Sequence, residues 1–232
     1  MNQDEGFIGV LQRMREVLYN WLGAEGVNGR VTVTPANRVT LLRVLLVPIY
    51  LMAFFSGQLN YTVAATLLFV LGAISDLYDG KLARKYGHVT PFGNFMDPLA
   101  DKLLVLPAFW ALLLFESLYT HLYLGIISIS LITIREIGLT IMRISAIDKG
   151  SSVKTSYWGK LKTTIQLTAI ILLMVLYNLR DWLALYGINT EIFRSTYFYW
   201  LVEGLFILSM LVTVISGLIY LQDIKGAPET DK

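Results

Sequence analysis

Two stretches of the chain, Thr163–Leu179 and Gly204–Gln222, run without a single charged residue. A helix rises about 1.5 Å per residue, so roughly 20 apolar residues cross the core of a bilayer. A soluble helix of that length would carry charge along its outer face. The rest of the sequence agrees: 55% of its 232 residues are hydrophobic and only 16% are charged, against about 25% charged in an ordinary soluble domain. The chain reads as an all-α integral membrane protein. It has no cysteine, which excludes disulfides, thiolate metal sites and cysteine nucleophiles. A net charge of +2 with no basic run gives no ground for nucleic acid as a partner. The opening "MNQDEGFIGV" is acidic and lacks the form of a signal peptide.

Six hydrophobic segments are expected as transmembrane helices, near 38–57, 60–85, 97–117, 120–146, 159–180 and 196–222. Short turns join them at Ser56-Gly57, at Pro91 with Gly93, and at "DKGSS"; the longer piece 181–195 is expected at the interface or in solvent. Before the first span, Phe7, Val10, Leu11, Met14, Val17, Leu18 and Leu22 share one helical face. That pattern suits an N-terminal amphipathic helix on the membrane surface, or one packed against the bundle. The organisation is then an amphipathic segment 1–30, a six-helix domain 31–225 and a tail 226–232. Arg13, Arg15, Arg30, Arg38, Lys81, Arg84, Lys85, Lys149, Lys154 and Lys225 fall on one side of this alternation, with Arg180 and Arg194 as exceptions. By the positive-inside rule both termini are cytoplasmic.

The same alternation gathers charges at the cytoplasmic ends of the spans. Asp76 and Asp79 end the second, Asp97, Asp101 and Lys102 start the third, and Arg135, Glu136 and Arg143 lie late in the fourth. Arg43 belongs to the first, and Lys160 and Lys162 start the fifth. Charges inside spans face cavities or one another, so one polar pocket open to the cytoplasm is the economical arrangement. At about 100° per residue, Asp76, Asp79, Gly80 and Ala83 share a face with Arg84 at its edge, and Asp97 and Asp101 share a face of the next helix. Four carboxylates on adjoining faces repel unless cations lie between them. With no histidine or cysteine beside them, their hard oxygens suit Mg²⁺, Mn²⁺ or Ca²⁺, and four are enough to bridge two ions of the kind that assist phosphoryl chemistry. Gly80 and Ala83 leave room for a substrate against the backbone, and Arg84 offers a fork for phosphate oxygens. The plain reading of Asp76 and Asp79 is a solvated pair beside Lys81 and Lys85; that of Arg135 and Glu136 is a structural ion pair. Glu203 reads as structural or interfacial, and His88 and His121 as surface residues.

The spacing Asp76-x2-Asp79-Gly80-x2-Ala83-Arg84-x8-Gly93-x3-Asp97-x3-Asp101 resembles, without departure, the signature of the CDP-alcohol phosphatidyltransferases. "NRVTLLRVLLVP" at 37–48 resembles that family's first span; "TIREIGLTIMR" and "SYWGKLKTTIQ" resemble one branch, the phosphatidylglycerophosphate synthases. The resemblance implies six transmembrane helices, a homodimer and two divalent metals, Mg²⁺ or Mn²⁺. Carried over by position, it implies metal binding by Asp76, Asp79, Asp97 and Asp101, with Asp101 also the general base. Gly80, Ala83, Arg84, Gly93, Asn37 and Thr40 would receive the CDP-lipid.

The branch implies CDP-diacylglycerol and glycerol 3-phosphate as substrates and phosphatidylglycerophosphate and CMP as products, by in-line displacement. The acceptor's phosphate needs cations, for which Arg135 and Lys160 come first, then Arg143, Lys162 and Arg43. Lys160 and Lys162 lie on opposite sides of an ideal helix, so at most one faces the pocket squarely. Inositol phosphate would need cations too, whereas phosphatidylglycerol, whose acceptor headgroup is neutral, would leave Arg135 without a task. A divalent-cation transporter would explain the carboxylates but not Gly80, Ala83 and Arg84 beside them. The expected setting is a bacterial inner membrane, with the active site facing the cytoplasm.

Overall fold

Turn and cap residues divide the apolar sequence into long helices, and the structure, a computed structural model, shows where each begins and ends. It describes residues 25–27, 30–32, 35–86, 91–115, 121–148 and 157–226, with side chains described within 39–75, 99–100, 102–114, 121–142 and 158–222. The expected amphipathic helix up to Leu22 and the tail beyond Gly226 lie outside the described residues. The helices are α1 (Pro35–Phe55), α2 (Leu59–Tyr86), α3 (Pro91–Phe115), α4 (Leu122–Asp148), α5 (Tyr157–Leu185) and α6 (Thr196–Gly226). Ahead of them a short antiparallel ribbon pairs β1 (Glu25–Val27) with β2 (Arg30–Thr32), Val27 opposite Arg30. Every other described element is helical, as expected of an all-α chain.

Local chemistry accounts for the boundaries. Proline opens both α1 and α3, at the first helical position, where its missing N–H costs nothing. Gly93 therefore lies inside α3 and not in the preceding turn. Gly57 takes a positive φ of 68° after α1, and the Ser56 hydroxyl donates back to the Ala53 carbonyl at 2.7 Å. α5 continues five residues beyond its expected end, to a glycine stop. The Ile188 N–H donates to the Leu183 carbonyl at 3.0 Å and the Gly187 N–H to that of Ala184 at 3.1 Å, with Gly187 at φ 67°, a Schellman motif. Arg180, an exception to the charge asymmetry, is held at 2.8 Å by Asp181 and lies over the Tyr177 ring. A 3₁₀ turn, Glu191–Arg194, follows, and the Ser195 hydroxyl caps α6 by accepting from the Phe198 N–H at 3.3 Å.

α1 packs on α2 and α3, α2 on α5, α3 on α4, and α6 against both α4 and α5. The core is aromatic and aliphatic: Tyr50, Phe54, Phe69, Phe109, Ile129, Ile132, Ile170, Met174 and Phe206 are all buried. The outward surface is also apolar, with Ile127, Ile134 and Ile141 exposed along α4 and Leu201, Leu208, Leu211, Ile215 and Leu218 along α6. The buried side of α6 carries Ser209, Thr213 and Ser216. Oil outside and hydroxyls inside is the pattern of a helix packed in lipid. Among the residues with described side chains, Leu122–Met142, Trp158–Leu185 and Thr196–Gln222 are long and apolar enough to cross a membrane, and the described parts of α1, α2 and α3 are apolar.

Candidate active site

Three helices converge on Leu104. The Tyr50 hydroxyl of α1 donates to the Leu104 carbonyl of α3 at 2.9 Å, with the Tyr50 ring edge-on to Phe69 of α2. From the other side α2 comes so near that a Cβ on Gly72 would stand 3.0 Å from Leu104 Cδ1. Gly72 and Leu104 therefore mark the sides on which α2 and α3 face one another. On ideal helices, positions 76 and 79 fall within about 40° of Gly72, and positions 97 and 101 within about 60° of Leu104. α2 and α3 run in opposite directions, so position 76, one turn beyond Gly72, and position 101, a turn before Leu104, come to the same height. All four aspartate positions are thus on facing sides of two neighbouring helices at one end of the bundle. The side chains of Asp76, Asp79, Gly80, Ala83, Arg84, Gly93, Asp97 and Asp101 lie outside the described ones, as do those of Asn37 and Arg143.

The same register places two first-helix candidates. Arg43 and Thr40 are buried on α1, each 1% exposed. Arg43 precedes Tyr50 by two turns, as position 97 precedes Leu104, so both stand about 10 Å above that junction. Position 79 reaches the same height on α2. Arg43 thus stands with the aspartate positions, apart from the other acceptor candidates.

Two of those, Arg135 and Lys162, meet around a buried carboxylate. Glu136 of α4 is 2% exposed. Its Oε1 accepts from Lys162 Nζ of α5 at 2.6 Å and from Arg135 Nη1 at 3.0 Å, and its Oε2 lies 3.3 Å from Lys102 Nζ of α3. Arg135 Nη2 donates to Ser216 Oγ of α6 at 2.7 Å. The guanidinium lies against Gly217, where a Cβ would come within 2.9 Å of its Nε. Only a residue without a side chain leaves that room. Three helices are joined at this one buried carboxylate, and Arg135 links a fourth, α6, to it.

Of the two lysines opening α5, the one that faces inward is Lys162, 5% exposed; Lys160 is exposed. The sequence ranks them the other way. Lys162 begins a buried stripe continued by Gln166, Ala169 and Leu173, a helical period in which Lys160 has no place. Sequence reasoning names Glu136 only as a partner of Arg135, and Lys102 only as one of the charges opening a span; the structure makes them the centre and one arm of the cluster. At the far end, Glu203 is structural: its Oε1 accepts from the His121 backbone N–H at 2.7 Å, fastening the start of α4 to α6. His121 is held there by that bond and not simply exposed.

The described site is thus a bundle of apolar helices, three of them long enough to cross a membrane, enclosing three cations around one buried carboxylate. The family model for CDP-alcohol phosphatidyltransferase matches residues 33–215, and the chain belongs to that family. A Mycobacterium tuberculosis protein named "Probable phosphatidylglycerophosphate synthase" is 40% identical over 138 residues, 58% of this chain and 63% of that relative's length. An Escherichia coli protein named CDP-diacylglycerol–glycerol-3-phosphate 3-phosphatidyltransferase is 36% identical over 138 residues, 59% of this chain and 74% of its own. One of the same name from Blochmanniella floridana is 32% identical over 152 residues, 65% of this chain and 77% of its own.

Proposed function

We propose that this chain transfers the phosphatidyl group of CDP-diacylglycerol to glycerol 3-phosphate, releasing CMP and giving phosphatidylglycerophosphate for phospholipid synthesis. The observation that carries the reading is the Lys102–Arg135–Lys162 cluster around buried Glu136, whose Lys102 directly follows Asp101 on α3. The names of the relatives support the choice of acceptor.

Asp76, Asp79, Asp97 and Asp101 would hold two divalent ions, Mg²⁺ or Mn²⁺, for which an all-carboxylate donor set is suited. Ions bound there supply neutralisation of the diphosphate and of the charge developing on CMP. Asp101 takes the proton from the attacking hydroxyl. That oxygen bonds to the phosphatidyl phosphorus as the opposite bond, to the CMP oxygen, breaks. Gly80 and Ala83 leave space for the nucleotide, Arg84 meets its phosphates, and Gly93, Asn37 and Thr40 complete that wall. Arg135 leads the acceptor side from the Glu136 cluster that Lys162 anchors, with Lys160, Arg143 and Arg43 as further cations.

In this reading all six helices cross a bacterial inner membrane. Both termini and the site face the cytoplasm, the N-terminal segment lies on that surface, and two copies form a homodimer. The test is CMP release by purified protein given CDP-diacylglycerol, Mg²⁺ or Mn²⁺ and a panel of acceptors. Turnover should require glycerol 3-phosphate, and Asp101→Asn should abolish it. Release with inositol phosphate or phosphatidylglycerol alone would overturn the acceptor, and release with none would overturn the activity.

A further inference from the structure

Glu136 has no role in the chemistry above, yet it is among the most buried charges described in the chain. A carboxylate taken out of water is retained only where its partners satisfy it. Here three cations do so from three helices: Lys102 on α3, Arg135 on α4 and Lys162 on α5. The three differ in how far they are enclosed. The Lys162 side chain is 6% exposed, whereas Arg135 and Lys102 keep 16% and 18% of theirs open. Lys162 is the inner anchor, and the other two are the more open members of the cluster. Long cationic side chains lose much rotamer freedom when they grip an anion. A carboxylate that already holds them in place removes that cost from substrate binding.

We propose that Glu136 is a positioning residue for the acceptor, a phosphate monoester. It fixes Lys102 and Arg135 as a preset pair of donors and, through Lys102, ties the acceptor's phosphate to the turn of α3 that carries Asp101. The proposal rests on the phosphatidyl-transfer reading. Arg135, braced by Ser216 and Gly217 on its other side, supplies the planar fork. Lys102 immediately follows Asp101 in sequence, so an anion held by its ammonium is delivered beside the base. Glu136 itself touches neither substrate.

The experiment measures KM for glycerol 3-phosphate and kcat for wild type, Glu136→Gln and Glu136→Asp. Glu136→Gln should raise KM roughly 10- to 100-fold, the loss expected when a charged hydrogen bond no longer orients its donors. The kcat should fall much less, and Glu136→Asp should recover part of the KM. An unchanged KM, or a fall confined to kcat, overturns the proposal. Should Glu136→Gln not fold, Glu136→Gln with Lys162→Met removes one charge of each sign and leaves Lys102 and Arg135. The raised KM must persist in this pair variant; a normal KM there would show that Glu136 merely neutralises Lys162. Wild-type dependence on glycerol 3-phosphate tests the activity separately. If it is absent, stabilisation by inorganic phosphate in a thermal-unfolding series decides: present in wild type and lost in Glu136→Gln, it upholds the role, and equal in both, it refutes it.

Discussion

The contact between Gly217 and Arg135 allows a sharp mutational test because two other glycines serve as controls. In Gly217→Ala the new Cβ would stand 2.9 Å from Arg135 Nε and 3.2 Å from its Cγ. Comfortable contact begins near 3.5 Å, so the guanidinium must retreat by about half an ångström. It is pinned on both sides, at 2.7 Å to Ser216 Oγ and 3.0 Å to Glu136 Oε1. Retreat from Gly217 stretches the bond to the neighbouring Ser216. A hydrogen bond to a charged group is worth about 1.5–3 kcal/mol, while Ala for Gly in a helix returns up to about 1 kcal/mol. The net expectation is a loss of about 1 kcal/mol and a several-fold higher KM for glycerol 3-phosphate. At Gly204, on the same helix, and at Gly138 an added Cβ meets nothing within 4 Å. Alanine at either should therefore leave stability and KM unchanged, or raise stability slightly. Thermal unfolding in detergent and steady-state CMP release read both quantities. If Gly217→Ala behaves like Gly204→Ala in both assays, the packing of Arg135 against α6 is wrong.

Three further outcomes are expected. Tyr50→Phe removes the hydroxyl bound to the Leu104 carbonyl and should cost about 1 kcal/mol, seen as a lowered Tm with the protein still folded. Asn178→Leu breaks the 2.8 Å bond from Asn178 Nδ2 to Thr66 Oγ1 between α5 and α2. Its cost should be about 0.6 kcal/mol, the average for such bonds between membrane helices, and its measure is the same melting series with KM unaffected. Chelation by EDTA should stop CMP release, and excess Mg²⁺ or Mn²⁺ should restore it; activity that persists through exhaustive chelation would remove the aspartates' proposed task.

What was legible in the sequence is what depends on neighbours along the chain. Charge-free runs announce helices because lipid imposes the requirement residue by residue, and the aspartate spacing carries its own geometry within α2 and α3. Boundaries set by a single backbone position were harder. Pro91 looks like a loop residue until it is recognised as the first residue of α3. The end of α5 is fixed by Gly187 and not by the charged pair at 180–181. The choice between Lys160 and Lys162 was available from the stripe Lys162, Gln166, Ala169, Leu173, which alone has the period of a buried face. The meeting of Lys102, Arg135 and Lys162 at Glu136 was not available, because it needs α3, α4 and α5 to be packed side by side. Nothing local distinguishes Gly72 or Gly217 from other glycines; each earns its place from the residue opposite.

The bond from His121 to Glu203 and that from Arg135 to Ser216 join residues 82 and 81 positions apart. α4 and α6 therefore run parallel in constant register, fastened at two points about 20 Å apart along their length. Sliding one helix past the other breaks both fastenings together, and prying them apart must break at least one. The pair forms a stiff post through the bundle. Whatever slack the bundle has for a bulky two-tailed molecule to enter and leave must be found outside this pair.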